Sequence, residues 1–211
     1  RDCKSTVTTS LKQGGAAVFI LSGQVRLNNV KLLDNTSVGR GGAVRCNSKT
    51  AVALMNNSLL KGNSHSGSWG NGIQMSEGHI CMNNTTIIEN EGTGAALNGG
   101  GSFLLVNSTI VGNGSDSHGA VRCETGIGGD TKFINNLLIT ENPSAPSFNL
   151  NGSNKEASSK GYNVYQRVTG ITMSTLDTAY PNPVNGTLNE EGVYVWDINQ
   201  LGTVKGYATK Q

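Results

Sequence analysis

One short pattern recurs down the chain: an Asn, five residues, and a second Asn. It reads NVKLLDN from Asn29 to Asn35, NSLLKGN from Asn57 to Asn63, NTTIIEN from Asn84 to Asn90, NSTIVGN from Asn107 to Asn113 and NLLITEN from Asn136 to Asn142. The closing Asn residues step by 28, 27, 23 and 29 positions. A unit of this length cannot bury its apolar face alone, so copies of it must stack on one another. No segment sustains an i, i+3, i+4, i+7 apolar stripe, which excludes an α-helical repeat.

The aliphatic residues keep a fixed phase against the closing Asn. Three places before it stand Leu32, Leu60, Ile87, Ile110 and Ile139; eight places before it stand Leu27, Met55, Met82, Leu105 and Ile134. Ten places before it stand Val25, Ala53, Ile80 and Phe103, with Lys132 interrupting the column in the fifth repeat. Alternation of period two marks half-buried strands. A further strand opens each coil, at GGAVRC (41–46), GNGIQM (70–75), GTGAAL (92–97) and HGAVRC (118–123), preceded by GGAAVF (14–19). In it Val44 with Cys46, Ile73 with Met75, Ala95 with Leu97, and Val121 with Cys123 are expected to point inward. Arg45, Gln74, Ala96 and Arg122 are then expected to face solvent.

These patterns predict an all-β chain, a right-handed single-stranded parallel β-helix. About six coils, each of three short strands, span residues 1–160, and an extended capping segment spans 161–211. The Asn columns have a physical reason. Sharp corners between sheets call for positive φ, which Asn and Gly tolerate best. A buried amide can also donate to and accept from its equivalents one coil away. The expected ladder is Asn35, Asn63, Asn90, Asn113 and Asn142. Gly 29 against Pro 4, with 5% aromatics, would suit a disordered chain, but such a chain lacks regularly spaced aliphatics.

The GGA[VI] openings and the closings LLDN (32–35), LKGN (60–63), IIEN (87–90), IVGN (110–113) and ITEN (139–142) resemble the repeats of polymorphic outer-membrane proteins and related bacterial surface β-helix proteins. This resemblance covers roughly residues 12–165. SKGYNVYQ (159–166) is similar to the end of β-helix domains in secreted proteins of gut Bacteroidetes. The resemblance implies export and an extracellular or outer-membrane surface location; the export signal is then either removed or upstream of Arg1. It implies no chemistry, because the shared motifs are architectural.

Charged residues make up 14% of the chain and the formal net charge is +2, with no Lys/Arg block, so a nucleic-acid partner is not expected. No apolar run reaches the length of a membrane span. Cys46 and Cys123 share an inward column three coils apart, about 14 Å by strand spacing, too far for a disulfide. The four thiols are therefore read as free.

Two families of loops are left to carry function. One follows each closing Asn, and its Arg40, His65, Trp69 and His118 are the candidate binding residues. The other follows the opening strand, where Glu124 and Asp130 flank TGIGG and are the candidate calcium ligands; no other cofactor is expected. HExxH, CxxC, GxSxG and phosphate-loop motifs are absent from the sequence. The reading is a non-catalytic secreted or cell-surface module, structural or adhesive, with a polysaccharide or host-surface ligand and room for further domains in the same polypeptide. The alternative is a lyase or hydrolase acting on an anionic polysaccharide, by analogy of fold.

Overall fold

The computed structural model describes residues 3–5, 14–67, 69–111, 119–123, 131–140, 145–150, 157–179, 187–188 and 194–195. The described residues contain no helix and form a parallel β-solenoid of about five turns. Part of the sixth coil expected at 143–160 lies outside the described residues. Three parallel sheets run along the axis. The Leu32 column forms one face, with seven strands; Lys4–Ser5, Thr36–Ser37 and Ser64–His65 form a short second face. The two other strand stretches of each coil join into a single eleven-stranded sheet, because Val44–Asn56 and Ile73–Asn83 each run through both.

The core is a set of axial columns. Val44, Ile73, Leu97, Val121 and Phe148 stand in one register; Met55, Met82, Leu105 and Phe133 stand in another. Leu32, Leu60, Ile87, Ile110 and Leu138 make the third. Nearly all are fully buried in one continuous cluster. Cys46 and Cys123 sit in one inward column with Met75 and Gly99 between them, and both are free thiols.

In two places the register differs from the sequence expectation. Leu97, rather than Ala95, pairs with Ile73, so Asn98 takes the outward place assigned to Ala96. The column needs an aliphatic of Ile or Val size, and Ala95 is too small to fill it. In the fifth repeat every position moves one residue earlier: Phe133 pairs with Leu105 and Leu138 with Ile110. Lys132 accordingly points out and is exposed, while Thr131 is buried. The doublet Asn135–Asn136 allowed either Asn to be matched to the corner; the structure puts Asn135 there, at φ 53°.

Asn residues do two separate jobs. Asn29, Asn57, Asn84, Asn107 and Asn135 turn the corner at φ between 48° and 55°. The closing residues Asn35, Asn63 and Asn90 are fully buried and form a ladder. Asn63 Oδ1 accepts from the backbone N–H of Asn35 at 3.1 Å and from its Nδ2 at 2.8 Å. Asn90 Oδ1 accepts the same pair from Asn63, at 3.0 and 2.8 Å. The remaining Nδ2 hydrogen of Asn63 goes to Leu32 O at 2.9 Å. At this second corner the positive φ belongs to the preceding residue, Asp34, Gly62 or Glu89. Asn113 and Asn142, the other expected ladder members, lie outside the described residues.

A second ladder continues the satisfaction of buried groups toward the C-terminus. Asn163 Oδ1 accepts from the N–H and Nδ2 of Asn136, both at 2.9 Å. Asn163 in turn donates its N–H and Nδ2 to Asp177 Oδ1 at 2.8 and 2.9 Å. Asp177 Oδ2 accepts from Ser174 N at 2.7 Å and Ser159 Oγ at 2.5 Å. The segment after Gly161 thus begins as further rungs, with Val164 beside Leu137 and then Thr178 beside Val164. Most of the cap expected at 161–211 lies outside the described residues from residue 180 onward.

Removing a rung of a buried ladder strands the donors of its neighbour. Asn63→Ala is expected to cost roughly 3 kcal/mol in urea unfolding, whereas Asn56→Ala, in an exposed amide pair with Asn83, should cost under about 1 kcal/mol. Asp177→Asn keeps the shape but turns an NH2 toward a donor, Ser174 N–H or Asn163 N–H. A loss of about 1–3 kcal/mol should appear in the same measurement.

Candidate functional site

The turn before each opening strand is built on glycine for a steric reason. Gly41 has φ 79°, and a Cβ there would meet Val44 O at 2.6 Å and Gln74 Cβ at 3.1 Å. A Cβ on Gly15 would sit 2.9 Å from Arg45 Cβ. Each turn therefore lies directly against the outward residue of the next coil. This corrects the expectation for that column: Arg45, Gln74 and Arg122 are only 1%, 2% and 8% exposed, and Asn98 is buried with them. Alternation along a strand sets which face a side chain takes; here the second face is covered by the neighbouring turns.

Arg40 and Trp69 occupy the positions just before two such turns. Gly41 N–H donates to Trp69 O at 3.3 Å, which puts Arg40 one rung on the N-terminal side of the indole. Arg122 comes from two rungs on the other side, through the register Gln74, Asn98, Arg122. The guanidinium carbons lie 5.5 Å (Arg40) and 5.0 Å (Arg122) from the Trp69 ring centroid. Half-buried Trp69 thereby contacts two cations that belong to coils on opposite axial sides of its own. Contacts of this kind are worth about 0.5–2 kcal/mol each. Below them Asn98 Nδ2 donates to Gln74 Oε1 at 2.9 Å, and buried Asn98 Oδ1 has no hydrogen-bond partner.

Arg45 completes a cluster of three guanidiniums. Its Nη2 donates to Asn47 Oδ1 at 3.1 Å and Ser76 Oγ at 3.3 Å. Burial, reinforced by the charge of Arg40, lowers its pKa to about 10, so it stays protonated at neutral pH. The sequence places Arg40 and Trp69 in one loop family. What it hides is the addition of Arg45 and Arg122, whose strand positions point to solvent until the packing of the turns is known.

The other candidates fall elsewhere. His65 is 7% exposed and points inward beside Gly92, where a Cβ would meet its Nε2 at 2.8 Å. Its Nε2 bonds Asn71 Oδ1 at 3.0 Å, and Asn71 Oδ1 also accepts Gly94 N–H at 3.0 Å. The proton of the neutral ring therefore belongs on Nε2, leaving buried Nδ1 with no partner. His65 is thus a packing group and leaves the candidate binding set. Its inward place follows from pairing beside Ser37, which is also buried. His118, Glu124 and Asp130 lie outside the described residues. Among the described residues no three His, Cys, Asp or Glu side chains come together as a metal site. Cys46 is pushed up to about 12 by burial and Cys81 is raised by the same cause, so neither is an activated thiol.

Burial lowers the His65 pKa below its ordinary 6.5, with the Asn71 bond acting weakly the other way. The unfolded chain then binds the proton more readily than the folded one. Stability from neutral His65 is complete above pH about 6.5 and is lost as pH falls below that value. Urea midpoints between pH 7.5 and 5 should drop less in His65→Gln than in the wild type. Compared with protein-family models, curated proteins and solved structures, the chain matches none.

Proposed function

We propose that this chain is a non-catalytic, exported or cell-surface β-solenoid module with an adhesive role, binding carbohydrate on the lateral face that carries Trp69. The observation that carries the reading is the Arg40–Trp69–Arg122 stack: a half-buried indole held rigid on a stiff scaffold, beside several hydrogen-bond donors. Rigid aromatic and guanidinium groups lose little freedom on binding, which favours a weak polar ligand such as a glycan. Two guanidiniums already lie over the indole ring. The sugar is therefore expected against the indole edge and the N–H groups beside it, rather than stacked on the ring. The buried, raised thiols and the neutral, inward His65 support a binding role over a catalytic one.

A glycan array probed with the purified chain tests this. Trp69→Ala, checked for a retained cooperative unfolding transition, should weaken binding at least tenfold; equal binding by wild type and variant would remove the site. The same glycans incubated with the chain should yield no unsaturated sugar absorbing in the ultraviolet and no new reducing ends, with or without calcium. Product formation would replace the adhesive reading with a lyase or hydrolase acting on an anionic polysaccharide.

A further inference from the structure

Arg40 differs from the other cations near Trp69. Arg45 is almost fully buried and held by Asn47 and Ser76. Arg40 stands close enough to depress it. Arg40 itself has no carboxylate partner among the described residues, and its buried Nε makes no hydrogen bond. Among the described residues, the attractive interaction of its charge is with the indole of Trp69. Two like charges in a partly desolvated corner repel, and a cation–π contact offsets this only in part. An anion placed beside Arg40 reverses the sign of the local energy, because it attracts both guanidiniums at once.

From this imbalance we infer that the ligand of the Trp69 face is an acidic saccharide, whose carboxylate or sulfate pairs with Arg40 while Trp69 holds the guanidinium plane in place. This rests on the carbohydrate-binding reading above and narrows it. An uncharged sugar would leave the Arg40 charge uncompensated. A guanidinium also matches a carboxylate or sulfate with two parallel N–H bonds, which an ammonium cannot do. The indole, which touches both Arg40 and Arg122, fixes that fork before the ligand arrives.

The test is calorimetry of the whole chain with three probes: polygalacturonate oligomers, dextran sulfate and uncharged dextran. The acidic probes should bind at least tenfold more tightly than dextran, and the difference should shrink as salt rises from about 0.05 to 0.5 M. Arg40→Gln should lose about tenfold on the acidic probe and markedly less on dextran. Arg40→Lys, which keeps the charge without the fork, should fall between. A preference between the two acidic probes distinguishes a carboxylate from a sulfate ligand. Equal binding of acidic and uncharged probes, or acidic binding untouched by Arg40→Gln, overturns the inference and leaves the broader reading intact. Absence of binding by every glycan overturns both. Should Arg40→Gln fail to fold, the Arg40→Lys loss and the salt dependence of the wild type decide the matter.

Discussion

A buried amide is tolerable in this protein only because an identical amide lies one strand spacing away. Asn63 Oδ1 and Asn90 Oδ1 each take two hydrogen bonds from the coil before, and Asn63 Nδ2 gives one hydrogen to each neighbouring coil. The amide-to-amide bonds run between coils, so an isolated coil would carry several stranded polar groups. Backbone pairing and the aliphatic columns obey the same rule. Fold, sheet register and site geometry all descend from this dependence of each winding on the next.

Most of the architecture was legible because stacking forces equivalent residues to repeat. The Leu32, Met55 and Ala53 columns could be read directly, as could the separation of Cys46 from Cys123. Reading failed where the repeat was locally degenerate. Asn135–Asn136 offered two candidates for one corner, and GTGAAL imitated an opening turn two residues ahead of the true strand. Volume resolves the second case, since Leu97 fills a column that Ala95 would leave hollow. The second ladder escaped notice because its members are Ser108, Asn136, Asn163 and Asp177, linked by hydrogen-bonding capacity rather than by identity.

The candidate site was half legible for a related reason. Arg40 and Trp69 stand at equivalent points of successive coils, so their proximity follows from the repeat. Arg45 and Arg122 belong to a different column of the coil. They join the cluster because glycine turns press against the outer side of the opening strand, a relation that alternation along one strand does not encode. His65 shows the converse. It lies in the correct loop family, yet its phase in the short sheet turns it toward the axis, where Gly92 leaves it room.

Both ladders point the same way, with donors facing the C-terminal end of the axis. A row of primary amides can be prolonged without limit in that direction, because each Asn that accepts also offers new donors. A carboxylate accepts and offers nothing. At Asp177 one oxygen receives Asn163, and the other receives Ser174 and Ser159. The change from Asn to Asp at that rung therefore acts as punctuation: a single atom, O in place of NH2, ends the run of amides.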